Sequence, residues 1–164
     1  MAVREDEQLI LTLQLTRRGA DLLHAELTEL IGVGRPAAQR RLQGAYESGD
    51  GDGGAEVSDA AWALDRIERR IARLEAQLRT AHIVDAADLD EGVIAVGHRV
   101  DVRRAGGLER SYVLVSPVES DPRAGRLSTD SPLGSALLGR RAGDVIVLAH
   151  NDEAIAITAV GAAP

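Results

Sequence analysis

Two apolar seams of helical period, separated by a short run of glycine and aspartate, constrain this chain more than any other feature. Ala60, Leu64, Ile67, Ile71, Leu74 and Leu78 keep an alternating four-three spacing that holds one stripe on one side of a helix. Upstream, Leu23, Leu27, Leu30, Gly34, Ala38, Leu42 and Ala45 form a looser matching seam. Between them Gly49, Gly51, Gly53 and Gly54 are interleaved with Asp50 and Asp52, a composition that cannot continue a helix and favours reversal. The reading is an antiparallel helical hairpin with acidic residues at its tip.

Local signals set the limits of the arms. Thr16 ahead of Arg17, Arg18 and Gly19 predicts a helix start, its hydroxyl accepting from an early amide and Leu15 packing back as a staple. The helical pattern runs to about Glu47, with Gly32, Gly34 and Pro36 predicting a kink or brief break near Gly34. The second arm begins at Ser58, or slightly earlier at Glu56, and ends near Ala81. The apolar run Leu9 to Leu15 is open between a short strand and the approach to the first helix. Arms of roughly 25 to 30 residues reach on the order of 40 Å, more than a small core needs, which suits a probe or spacer.

Arg66, Arg69, Arg70 and Arg73 flank the second seam and have two readings. One is a solvated face, with Asp65–Arg69 and Glu75–Arg79 as favourable pairs four residues apart. The other is a basic patch meeting an anionic partner, such as the 3′ part of an RNA or an acidic protein rim. Arg66 with Arg70 and Arg69 with Arg73 are like-charge pairs that cost a little unless such a partner is present.

Beyond Ile83 the period changes. Runs at 93–96, 100–102, 112–115, 145–148 and 154–157 read as strands between turn residues. One short helix is expected at Ser131-Pro-Leu-Gly-Ser-Ala-Leu-Leu-Gly, with Ser131 as N-cap, Pro132 at the first helical position and Gly139 as the stop. The fold class is therefore α+β, with an N-terminal coiled-coil domain over 1–82 and a β-rich C-terminal domain over 83–164.

Several chemistries are excluded at this level. The chain has no cysteine, so disulfides and thiolate sites are absent, as suits a reducing cytoplasm. The four histidines, His24, His82, His98 and His150, show no ligand spacing, and no bound metal is expected. A calcium loop starting at Asp50 fails at Gly54, Ala55 and Ala61. A net charge of −7 and an aromatic content of 2% argue against nucleic-acid backbone as the main partner. The acidic N-terminus does not read as a signal peptide, and no apolar run is long enough to span a membrane, so a cytoplasmic protein without a membrane partner is expected.

The chain resembles the bacterial Gre transcript-cleavage factors over nearly its whole length. Leu15-Thr-Arg-Arg-Gly with Leu23, Glu26, Leu27 and Leu30 is similar to the family's opening helix, and Arg35-Pro36 falls where the family has Arg-Pro. Arg70-Ile71, Leu74-Glu75, Leu78 and Ala81-His-Ile-Val-Asp85 resemble its second arm and exit. The most specific match is Ser131-Pro-Leu-Gly-Ser-Ala-Leu-Leu-Gly with Gly143-Asp144. The resemblance implies a coiled coil plus an FKBP-like sheet lobe with one short helix. It implies as partner bacterial RNA polymerase, entered through its secondary channel. The lobe would dock at the channel rim through Ser131, Pro132, Leu133, Gly134 and Ala136; the alternative reading of these residues is a helix start packing on the sheet. The acidic tip would approach polymerase-bound magnesium.

The tip departs from the family pattern. A cleavage-competent tip reads approximately Gly-Asp-Leu-x-Glu-Asn-Ala-Glu-Tyr, against Gly49-Asp50-Gly51-Asp52-Gly53-Gly54-Ala55-Glu56-Val57 here. Gly49, Asp50, Ala55 and Glu56 match, whereas the second catalytic carboxylate is replaced by Gly53. Asp52 is one residue away, and catalysis is sensitive to misplacement of about 1 Å. The expectation is a monomeric, non-cleaving and inhibitory regulator with no cofactor of its own, using Asp50 and Asp52 with Glu56 in support. The alternative is a cleavage factor in which Asp52 stands in. The chain itself would not be an enzyme; the FKBP-like fold raises prolyl isomerase activity, but Tyr112 is the one aromatic of its lobe, too few for such a pocket.

Overall fold

The computed structural model describes residues 13–47, 54–85, 89, 92–149 and 152–163. The chain divides into two compact units, one of Asp21–Thr80 and one that gathers the residues up to Ala20 with those from Ala81 onward.

The helices are α1 (Arg17–Glu29), whose residues from Asp21 on belong to the helical unit, a π-helical segment, Leu30–Gly34, α2 (Arg35–Glu47) and α3 (Gly54–Thr80). Thr16 caps α1 as expected: its Oγ1 accepts from the Gly19 amide at 3.0 Å. The predicted interruption near Gly34 takes the form of a π turn rather than a break, with the Arg35 amide donating to the Leu30 carbonyl. Pro36 has no amide to give to an acceptor four residues back, and widening the preceding turn keeps the helix continuous across it. Ala38 and Ala45 of α2 and Ala60, Ile71 and Leu74 of α3 are buried, while Leu27, Leu30, Leu42, Leu64, Ile67 and Leu78 are half-buried. The seams thus have small residues toward the turn and branched ones farther down.

In the other unit β1 (Gln14–Thr16) runs parallel to β2 (His82–Val84), pairing Leu15 with Ile83. Within the run Leu9 to Leu15, open in sequence between strand and helix approach, Gln14 and Leu15 are strand, and residues 9–12 lie outside the described residues. Strands β3 (His98–Arg104), β4 (Glu109–Val115), β5 (Arg126–Ser128), β6 (Val145–Leu148) and β7 (Glu153–Ala162) form a mixed sheet ordered β5-β4-β3-β7-β6. β4 and β5 are parallel and the other neighbours antiparallel, with a register shift in β3 between Asp101 and Val102. A short helix, α4 (Pro132–Leu137), supplies Leu133 and Leu137 to a core of Ile94, Val100, Val102, Leu114, Ile146, Leu148, Ile155 and Ile157. Each such side chain contributes about 1.5–3 kcal/mol on full burial.

One expected strand is absent. Residues 93–96 form an irregular segment: the Ile94 amide donates to the Arg140 carbonyl at 2.8 Å, and the Gly139 amide donates to the Ile94 carbonyl at 2.8 Å. Ile94 and Val96 are nevertheless buried. Gly92 and Gly97 have φ of 102° and 93°, so the run is bounded at both ends by left-handed backbone, and the backbone polar groups of Ile94 bond to the turn after α4 instead of to a strand. Conversely, β5 is three residues with a polar residue at either end and leaves no alternating signal.

Candidate functional site

Asp50 and Asp52 lie outside the described residues. Glu56 stands in the first turn of α3, exposed and favourably placed for the helix dipole. Among the described residues no group of three or more His, Cys, Asp or Glu side chains is arranged to hold a metal ion.

The four arginines of the expected basic patch divide into two kinds. Arg70 is bound across the hairpin, its Nε and Nη2 each donating at 2.7 Å to the two carboxylate oxygens of Glu26. The hydrogen bonds from Arg70, reinforced by its charge, hold the Glu26 carboxyl below the ordinary glutamate value, and those to Glu26 raise the guanidinium. Arg69 meets Asp65 at 2.8 Å within α3. Among the described residues Arg66 and Arg73 carry no ion pair. Glu68, which lacks a partner on its own helix, is met by Arg35 from the other arm at 2.9 Å.

Sequence reasoning missed what surrounds Arg66. A cavity of about 490 Å³ on the helical unit is lined by Arg41, Asp59, Trp62, Ala63, Asp65, Arg66 and Arg69, so it combines three guanidinium groups with an indole. Trp62 is 68% exposed, and Tyr46 nearby in sequence to the tip is 67% exposed. The spacing of Trp62, Arg66 and Arg69 by four and three residues was the available signal; Arg41 comes from α2, and periodicity within α3 cannot reveal it.

At α4 the capping arrangement is as expected. Ser131 Oγ accepts from the Gly134 amide at 3.0 Å and donates to the Ser128 carbonyl at 2.7 Å, Pro132 opens the helix, and Gly139 has φ of 75°. Leu133 is buried in the core, and a Cβ on Gly134 would overlap the Ser128 carbonyl. Ser131, Leu133 and Gly134 thus have structural work, Ala136 packs half-buried against the core, and Pro132 is exposed. Ser131, Pro132 and Leu133 also line a cavity of about 460 Å³ with Arg104, Arg110, Tyr112, Pro122, Arg126, Leu127, Leu148 and Glu153. Its walls set Tyr112, Pro122, Leu127, Pro132, Leu133 and Leu148 beside charged side chains, and of its three arginines Arg126 is tied to Glu119 at 2.6 Å and Arg104 to Glu153 at 3.6 Å. Arg110 carries no ion pair among the described residues. These sheet residues were invisible in the sequence because five separate elements bring them together.

Residues 13–83 match the N-terminal domain of the transcription elongation factor family, and residues 89–161 match the GreA/GreB C-terminal domain. The chain belongs to the GreA/GreB transcription elongation factor family. This Gre-family chain is 40% identical over 129 residues to transcription elongation factor GreA of Chloroflexus aurantiacus, covering 78% of the chain and 82% of that relative. It is 34% identical over 136 residues to transcription elongation factor GreA of Oenococcus oeni, covering 82% and 84%. Among solved structures it is similar to GreA factor homolog 1 of Thermus thermophilus, at 31% identity over 91% of this chain and 98% of that one, with a TM-score of 0.43. For a Gre-family chain, the α4 surface and the two arms are the parts that the family resemblance assigned to docking and to reach.

Proposed function

We propose that this Gre-family chain binds bacterial RNA polymerase through the secondary channel and inhibits transcription without efficient transcript cleavage. One observation carries the second half of the reading: Gly53 stands where the family's second catalytic carboxylate belongs. Coordinating the polymerase's magnesium for hydrolysis needs two well-placed carboxylates, and glycines at 51 and 53 add an ordering cost to any substitute geometry. An acidic tip can still enter the channel, approach polymerase-bound magnesium through Asp50 and Asp52, and impede nucleotide entry.

The α4 cavity supports the first half. Its apolar patch, entered beside exposed Pro132 and bordered by Arg110, suits an apolar side chain flanked by acidic residues on the polymerase rim. Arg66 and Arg73 meet the 3′ end of the RNA inside the complex. The protein acts as a monomer in the cytoplasm and is not itself an enzyme; at most it stimulates the polymerase's own RNA hydrolysis.

The experiment uses purified cognate RNA polymerase in stalled, backtracked complexes and follows RNA shortening and promoter-driven synthesis together. The expected result is reduced synthesis without shortening, relieved by Asp50→Asn with Asp52→Asn. Magnesium-dependent shortening would instead make Asp50 with Asp52 a rebuilt catalytic pair. Neither effect, together with no binding, would end the polymerase reading.

A further inference from the structure

Glu119 is a buried acid that does not itself line the α4 cavity, although it holds Arg126, which does. It is 7% exposed and follows β4 in a single 3-10 turn, Pro117–Glu119. Its carboxylate is held on three sides. Oε2 accepts from Arg126 Nη2 at 2.6 Å and from Thr16 Oγ1 at 2.5 Å; Oε1 accepts from the Thr16 amide at 2.9 Å and from Ser116 Oγ at 3.3 Å. Arg126 in turn donates from Nε to the Glu119 carbonyl at 3.1 Å. Leu15, beside Thr16, is fully buried.

The other end of this arrangement is the start of α1. Thr16 Oγ1 donates to Glu119 while accepting from the Gly19 amide, so one hydroxyl joins the acid to the helix cap. Gly19 in the first turn lies so close that a Cβ there would overlap the Glu119 carboxylate. A negative group at a helix start is favoured by the exposed amides and the dipole, and burial beside a single guanidinium strengthens the hydrogen bonds it accepts. Ion pairing alone would need only Arg126. Clearing Gly19 of a side chain and engaging both Thr16 donors are features of an anchor for α1.

We propose that Glu119 is a positioning residue that fixes the point at which the chain leaves the sheet unit and enters the first arm. The inference rests on the proposed polymerase reading. Docking uses the α4 surface and the effect on synthesis uses the arm that α1 opens, so slack at the first turn of α1 touches the second and spares the first. Weakening the anchor should therefore separate binding from effect.

The test uses the full chain with Thr16→Val, which removes the hydroxyl and leaves Glu119, Arg126 and the α4 residues in place, and Thr16→Ser, which restores the hydroxyl, as the rescue variant. Amide hydrogen exchange is measured on the free proteins. The Gly19 amide should exchange about tenfold faster in Thr16→Val while β3, β4 and β7 amides keep their protection. Polymerase affinity should stay within about twofold, and inhibition of synthesis should fall at least about fivefold. Affinity and inhibition falling together, neither changing, or protection lost across the sheet would each overturn the positioning role. Absence of binding and effect in the wild-type protein would overturn the polymerase reading on which the role rests, whereas unchanged Gly19 exchange would overturn the anchor alone.

Discussion

Arg70 and Glu26, 44 positions apart in the chain, form a two-point ion pair that ties the second arm of the hairpin to the first. Both side chains are about 40% exposed, so the pair is worth roughly 0.5–1 kcal/mol rather than the larger figure of a desolvated bridge. The carboxyl of Glu26 has its folded pKa lowered by the hydrogen bonds from Arg70. The stabilisation is therefore complete above the unfolded pKa and is lost as pH falls through the lower folded one. Denaturant unfolding of wild type and Glu26→Gln should differ by about that amount at neutral pH, and the difference should shrink once pH falls below the ordinary glutamate range and vanish below the lowered folded pKa.

Replacing Arg66 and Arg73 together by Ala should leave stability within about 0.5 kcal/mol, because neither makes an ion pair among the described residues. Polymerase binding at low salt should weaken by about two- to tenfold, with the difference shrinking as salt rises. Arg70→Ala should give the opposite pattern, a loss of hairpin stability of about 1 kcal/mol. Titrations at two ionic strengths alongside thermal melts distinguish the two kinds of arginine.

At α4, Pro132→Ala and Leu133→Ala should behave differently. Pro132 is exposed, and its replacement should cost under about 1 kcal/mol while lowering polymerase affinity. Leu133 is 7% exposed within the core, so Leu133→Ala should cost about 2–5 kcal/mol and lose affinity through the fold. Melting temperature and affinity measured on the same preparations decide; an unaltered affinity in folded Pro132→Ala removes that residue from the docking surface.

Trp62 is the single tryptophan of the chain and is 68% exposed. Its fluorescence should sit at the water-exposed, long-wavelength limit, be quenched freely by acrylamide, and change little on unfolding in urea. A blue-shifted, protected emission would show that the cavity it borders with Arg41 and Arg66 is closed over in solution.

Much of this molecule was legible because the relevant physics is local. The four-three spacing of apolar residues, the cap at Thr16, the cap and proline at Ser131 and Pro132, and the reversal between Glu47 and Gly54 each depend on neighbours within a few positions. The sequence alone therefore determined two helical arms, a β-rich remainder, and an acid pattern at the tip that lacks a carboxylate at Gly53. A run of apolar residues cannot state whether its backbone will find a neighbouring strand, and so 93–96 read as a strand although the amide and carbonyl of Ile94 bond to the turn after α4 and those of Ala95 to His98.

Only the tertiary structure decided which charged side chains meet. Arg70 chose Glu26, Glu68 was met by Arg35, and Glu119 reached Thr16 across 103 positions. Period and capping fix which face a side chain occupies, but the partner on that face is supplied by a distant segment whose register is set by the packing of the whole core. The parallel pairing of β1 with β2, and the Glu119 anchor beside it, arise in the same way, from segments that sequence order keeps far apart and the fold makes neighbours.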